Sequence, residues 1–338
     1  MTWTSNPGAY GATDPLFLLL AALALEAYLG GPWIGERRYL QPRRPVVNLV
    51  TELERRLNRP DRSGLDLLLR GAVFATGLSL AACALGWSVE WALLHYPFAW
   101  VFEVFLLALI VAQRTPCVQA AAVSSALAGG SMIAAQEALR PLVAGRVASD
   151  ILDRLDRRGI VAATIDGLVR AFALQVVAPV FWFALLGLSG VFLQQAVRTA
   201  AAYLSARALR STAGDRVAVP APVALGQAEF AMTALRLDTA LCFLPMLVAA
   251  ILLIAAAAFI PGCSPRGAMA RAWASRGNVT ATMGGVLVLE PEVADMTSAA
   301  PEFQITRNHI ERAVAVVAVG CLINGGLVAA LAWARALL

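Results

Sequence analysis

Residues 168–193 read LVRAFALQVVAPVFWFALLGLSGVFL, and this stretch decides what kind of molecule the chain is. It holds one charge, Arg170, in a run longer than the about 20 apolar residues with which an α-helix crosses a ~30 Å hydrocarbon core. Five further runs have the same character: Pro15 to Gly31, Leu65 to Trp87, Trp91 to Gln113, Leu241 to Pro261 and Ala313 to Leu338. Ala120 to Ala134 is apolar too, but its Ala, Ser and Gly suit a helix packed on protein better than one facing lipid. Over all 338 residues, 59% are apolar and 14% charged, with a mean hydropathy of +0.69. Soluble domains average roughly 45–50% apolar and about 25% charged, so soluble and disordered chains are excluded. The sequence predicts an all-α, polytopic integral membrane protein with five to six spans and Arg-rich cytoplasmic loops, organised as one membrane domain over residues 1–338.

Residue supply narrows the chemistry. All 27 basic residues are Arg, against 22 acids, for a formal charge of +5. Without Lys, neither a Schiff base nor a Walker-type phosphate loop can be built, so any phosphate is held by Arg or by backbone. The five cysteines, Cys83, Cys117, Cys242, Cys263 and Cys321, form no CxxC pair and read as packed thiols. His95 and His309 lie 214 positions apart, which argues against a His-based zinc site or a catalytic triad. Gly129-Gly130 and Gly284-Gly285 lack the spacing of a dinucleotide fingerprint and suit turns or close packing. No nucleic-acid partner is expected.

Charge also sets the expected topology. Residues 1–14 carry no positive charge before the first apolar run, which reads as an uncleaved span and not a signal peptide. Eight Arg between Arg37 and Arg62 place the first loop in the cytoplasm, and Arg114 with Arg140 to Arg158 does the same for the loop after the third span. Five more Arg between Cys263 and Arg312 make that loop cytoplasmic as well. The segment Gln194 to Asp238, also with five Arg, falls outside if the fourth run crosses once. Pro179 offers an escape: the run could be a broken or re-entrant pair that returns to the cytoplasm. Ser149 to Gly159 (SDILDRLDRRG) reads as one capped helix that Gly159 stops.

Charges within or at the edge of spans are expensive, about 2.5–3.5 kcal/mol at a helix centre on insertion scales, so each needs a partner or a task. Glu26, Glu103, Arg170, Arg198, Arg236 and Asp238 are in this position. Arg236 and Asp238 are two apart, about 200° apart on a helix, so each must find its partner elsewhere.

Ala178-Pro179-Val180-Phe181-Trp182, a Gly-containing turn and Val197-Arg198-Thr199 resemble the CobD/CbiB family of cobalamin-biosynthesis membrane proteins, with its Ala-Pro-Leu-Phe-Trp and Val-Asn-Thr-Leu-Asp segments. Other stretches align in the same order. Gly30 to Trp33 and Arg44 to Pro60 resemble the family's Gly-Asp-Pro, His-Pro-Val and Leu-Glu-Arg stretches. Gly145-Arg146 with Asp150 resembles Gly-Arg-Asp-Thr, and Gly159 to Asp166 resembles Gly-Ile-x-Arg-Ala-x-Val-Glu. Arg236-Leu237-Asp238 with Pro245 resembles Ala-Arg-Leu-Asp-Asp and Pro-Ala-Arg, and Ser264-Pro265, Gly267 and Gly284-Gly285 resemble Ser-Pro-Asn-x-Gly and Leu-Gly-Gly.

The resemblance implies an adenosylcobinamide-phosphate synthase of the bacterial inner membrane. Such an enzyme joins an amino-alcohol phosphate to adenosylcobyric acid by an ATP-dependent amide bond, with ATP and Mg²⁺ as cofactors. It further implies Asp150, Asp166 and Asp238 as catalytic, Asp166 and Asp238 as metal ligands, and Arg146, Arg170, Arg198, Thr199, Arg236, Ser264 and Arg266 as substrate contacts. On this reading Arg146, Asp166, Arg198 and Asp238 line one cavity. Several family acids are replaced: Arg198 stands for Asn, Ala201 for Asp, Thr239 for the second Asp of Asp-Asp, and Arg266 for Asn. The scaffold positions match while negative charge is lost. Two other readings therefore stand beside the enzyme, a non-catalytic relative that binds a corrinoid or a partner protein in cobalamin assembly, and an AmpE-type inner-membrane signalling protein.

Overall fold

In a computed structural model the described residues are 14–30, 43–57, 64–96, 98–143, 149–212, 221–275, 278–287 and 307–337, and among them there is no β-strand. The chain is an all-α bundle. Its helices are α1 (Pro15–Leu29), α2 (Arg43–Leu57), α3 (Gly64–Leu94), α4 (Ala99–Ile110), α5 (Arg114–Ala128), α6 (Met132–Val143), α7 (Ser149–Leu152), α8 (Arg157–Ala171), α9 (Ala178–Thr212), α10 (Ala221–Ala257), α11 (Pro265–Ala274), α12 (Val279–Val286) and α13 (Arg307–Ala336), with a π-helical turn at Phe172–Val177 joining α8 to α9. Among the described residues five segments are long and apolar enough to cross a membrane: Asp66–Leu93, Ala99–Ala128, Arg157–Arg207, Phe230–Ala257 and Asn308–Ala336. The shorter α1 is apolar too. The protein is a multi-pass membrane protein, and the exposed Leu, Phe and Trp of these segments are its lipid-facing surface. Exposed Trp87, Trp91, Tyr96, Phe98, Trp100 and Phe102 around the α3–α4 turn form the aromatic girdle of one interface.

The run that decided the fold does not cross straight. At Gly187 the backbone takes φ 63°, ψ −149°, a conformation open to glycine and costly for other residues. The chain folds back there: a Cβ placed on Gly190 would lie 2.6 Å from the Trp182 carbonyl oxygen, and the Gln194 side-chain amide reaches the Leu174 carbonyl, 20 residues back, at 3.5 Å. A fold-back pair was the alternative to a single crossing, but its pivot is Gly187 and not Pro179.

Pro179 acts differently. It withholds an N–H from the turn below, the register widens to the π-helix, and the Gln175 carbonyl accepts instead from the Ala112 N–H at 3.2 Å. Ala112 can donate because the third span breaks at 111–113, between α4 and α5. Pro245 repeats the device in α10. The Leu241 carbonyl it leaves without a helical donor accepts from the Trp182 indole N–H at 3.2 Å.

Two corrections concern helix ends. The α3 helix runs on through Trp91 to Leu94 instead of ending at Trp87. The stretch 149–159 is not one helix: α7 stops at Leu152, and Asp156 caps α8 by accepting from the Gly159 N–H at 2.8 Å. Gly159 thus lies in the first turn of the next helix, because Asp156 offers a better N-cap than Gly159 offers a stop. The Gly129-Gly130 turn, with Gly130 at φ +74°, joins α5 to α6 as expected.

Apolar side chains gather in two cores. The larger joins α1, α4–α6, α8–α13 through residues such as Leu19, Leu107, Phe172, Leu253 and Ile310. The smaller joins α2, α3, α9 and α10 through Val50, Phe74, Leu204 and Phe230. Amphipathic α2 is tied to α9 by Glu54, which is buried and takes Arg207 Nη1 at 2.8 Å.

Candidate functional site

Two polar clusters collect five of the residues singled out from sequence, Asp166, Arg170 and Ser264 in one and Arg198 and Asp238 in the other. The first lies where α8, α11 and α12 meet. Arg170 donates through Nε to Asp166 Oδ1 at 2.9 Å, one turn apart on α8, and the Thr280 hydroxyl of α12 donates to the same oxygen at 2.6 Å. Thr280 is positioned by Asn278, whose side chain caps α12 by accepting from the Thr280 N–H at 3.0 Å. Ser264 caps α11, accepting from the Gly267 N–H at 3.0 Å, while its own N–H donates to the Val286 carbonyl at 2.9 Å. Gly267 and Gly285 let α11 and α12 touch backbone to backbone; a Cβ on Gly267 would lie 2.8 Å from the Gly285 oxygen. Arg271 packs over Gly284, and Arg312 over Gly262. Burial pushes the Cys263 thiol up, with the Arg312 guanidinium opposing.

The second cluster lies between α9 and α10. Asp238 accepts from the Cys242 thiol at 3.5 Å, and the Arg198 guanidinium acts on both electrostatically. Arg236 is absent from it. As the two-residue spacing required, it points elsewhere, onto a shallow groove lined by Leu204, Met232, Leu235 and Thr239. Thr199 is buried and spends its hydroxyl on the Gln195 carbonyl of its own helix at 2.7 Å. Arg266 is exposed in the first turn of α11. Arg146 and the side chain of Asp150 lie outside the described residues. Thr280 and Cys242 escaped the sequence reading; the Cys242 spacing of four from Asp238 was the available signal, and Thr280 had none, being 114 residues from Asp166.

The sequence reading puts Asp166, Arg198 and Asp238 in one cavity; the groove found among the described residues lies at Arg236. The groove at Arg236 contains none of them, and the two carboxylates belong to separate clusters. Neither fits a protein-held Mg²⁺. That ion demands a near-octahedral oxygen shell, whereas Asp166 is engaged by Arg170 and Thr280, Asp238 faces Arg198, and among the described residues no three His, Cys, Asp or Glu side chains converge. The arrangement suits anions. Guanidinium groups held beside a carboxylate or over glycine backbone present forked donors to phosphate or carboxylate.

Elsewhere, Glu26 and Glu103 are buried carboxylates. Glu26 accepts from the Arg114 N–H at the start of α5 at 3.2 Å, a stabilising place for an acid. All five cysteines are free.

Comparison with known proteins gives these residues a lineage. Several relatives carry the name cobalamin biosynthesis protein CobD. That of Brucella suis biovar 1 (strain 1330) is 28% identical over 55% of each chain, and that of Brucella anthropi is 29% identical over 55% of each. That of Rhizobium meliloti (strain 1021) is 30% identical over 56% of this chain and 57% of the relative. The chain thus matches a little over half the length of these relatives. No solved structure matches. The family model described as CobD/Cbib protein matches residues 19–213, more than half of the chain, and takes in Asp150, Asp166, Arg170, Arg198 and Thr199. The chain therefore belongs to the CobD/CbiB family.

Proposed function

We propose that the protein acts in cobalamin biosynthesis at the bacterial inner membrane, as an adenosylcobinamide-phosphate synthase taking adenosylcobyric acid and an amino-alcohol phosphate. The observation that carries this reading is the contact of Asp166 and Arg170 with Thr280. It ties α8, inside the family match, to α12, beyond it, and brings the stretches resembling two separate family motifs to one place. In the reaction the amine nitrogen forms the amide bond to the corrinoid carboxyl carbon, and the carboxyl oxygen leaves with a phosphoryl group from ATP. Arg170 would hold a phosphate or carboxylate oxygen, with Asp166 and Thr280 fixing its guanidinium plane. Among the described residues of this cluster, Asp166 is also the acid placed to take a proton from an incoming ammonium group.

The test is complementation of a bacterial strain lacking the synthase, with cobinamide-phosphate formation as the readout. The expected result is restoration by the wild-type chain and loss of activity, by at least a hundred-fold as is usual for a general base, in Asp166→Ala. A well-expressed wild-type chain that restores nothing removes the enzyme reading, and full activity in Asp166→Ala removes Asp166 from the site.

A further inference from the structure

Arg236 carries an inference that does not depend on the proposed synthase activity. Its guanidinium is exposed and has no hydrogen-bond or ion-pair partner among the described residues, because Asp238 faces Arg198 on the other side of α10. It stands over an apolar groove of about 440 Å³ between α9 and α10, floored by Leu204, Met232 and Leu235. The two hydroxyls of the groove are spent on their own helices: Ser205 donates to the Ala201 carbonyl at 2.7 Å and Thr239 to the Leu235 carbonyl at 2.8 Å. Among the described residues lining the groove, Arg236 is thus the one with donors to spare.

The groove sits at the membrane edge. Its lining comes from the first turns of the Phe230–Ala257 segment and the last turn of Arg157–Arg207, the ends at which Arg207 and Arg236 stand. The same corner carries α2, whose Val50 is buried with Leu204 and Ala231, and whose outer face presents Arg55 and Arg56, both more than two-thirds exposed and both sharing Glu52 as ion-pair partner at 2.7 Å. A basic amphipathic helix beside two spans is the arrangement that rests on an anionic leaflet. An uncompensated guanidinium there is costly unless a phosphate meets it.

We propose that the α9–α10 groove seats one anionic phospholipid of the bilayer, an acyl chain lying along Leu204, Met232 and Leu235 and the headgroup phosphate on Arg236. A water-soluble phosphate would satisfy Arg236 but leave the groove bare, which is why the lipid fits better than a substrate. Arg236 then holds lipid and not the corrinoid or the amino-alcohol phosphate.

The full chain is purified, mixed with phosphatidylglycerol and phosphatidylcholine of matched acyl chains, and the lipid it retains is counted by native mass spectrometry. Arg236→Gln is expected to lower phosphatidylglycerol retention about five-fold, the effect of one surface arginine near anionic lipid, and to leave phosphatidylcholine unchanged. Arg55→Gln, at the same corner but already ion-paired with Glu52 at 2.7 Å and outside the groove lining, is expected to change neither. Met232→Trp, which fills the groove, is expected to lower retention of both lipids and decides the matter if Arg236→Gln does not purify. Unchanged phosphatidylglycerol retention in Arg236→Gln or Met232→Trp overturns the proposal. So does displacement of phosphatidylglycerol by free amino-alcohol phosphate, which would return Arg236 to the substrate.

Discussion

Proline in a lipid-embedded helix leaves a carbonyl without its donor, and in hydrocarbon such a group costs several kcal/mol unless something else donates. The two solutions here use different donors, the backbone N–H of Ala112 for Gln175 and the indole of Trp182 for Leu241. The second gives the Ala-Pro-Val-Phe-Trp stretch a physical meaning, since its Trp serves a proline 63 residues away, Pro245. Trp182→Phe keeps most of the packing and orphans the Leu241 carbonyl, at about 1–3 kcal/mol. It should lower the thermal midpoint of the detergent-purified protein. Pro245→Ala returns a helical N–H to Leu241, so the Trp182→Phe penalty should shrink in that background; an equal penalty in both would mean that the indole bond contributes nothing. None of this was legible in the sequence, where Pro179 read as a break. Proline announces a missing donor but not where the substitute comes from. The face opposition of Arg236 and Asp238 was legible, because helical geometry alone fixes it. Their partners, on α9 and at the bilayer, were not.

At the scale of elements, one glycine turns a long apolar run into a helical pair. Gly187 supplies the dihedrals and Gly190 the space against Trp182. Gly187→Ala meets strain of about 1–3 kcal/mol, and Gly190→Ala drives a methyl group onto backbone. Both should lower the thermal midpoint, whereas Gly77→Ala, with nothing within 4 Å of the added methyl in the middle of α3, should leave it level or raise it. Equal effects at all three would remove the tight reversal. The run's length and hydropathy were readable from residues alone; the reversal was not, since a glycine in an apolar helix serves packing or a turn without a distinguishing mark. The stretch 149–159 failed for a related reason. Its residues satisfy two capping schemes, and the chain takes the one in which Asp156 caps the longer helix.

For the molecule as a whole, the reversal removes a conflict in charge. A single crossing by the fourth run puts the five arginines between Gln194 and Asp238 on the side that the positive-inside rule disfavours. With Gln194 returned beside Leu174, the chain turns back toward the side it entered, where Arg154, Arg157 and Arg158 already lie, and Arg207 follows on the returning helix. Single cysteines read this directly once Cys83, Cys117, Cys242, Cys263 and Cys321 are replaced by Ser or Ala. Arg154→Cys and Asp215→Cys should react with a membrane-impermeant maleimide only after the cells are opened. Tyr96→Cys, in the exposed turn between α3 and α4, should react in intact cells. The comparison of positions 154 and 215 carries the test, because it does not depend on which side is named cytoplasmic. If one labels in intact cells and the other does not, the run crosses once, and the five arginines must be held outside by contacts stronger than the charge rule.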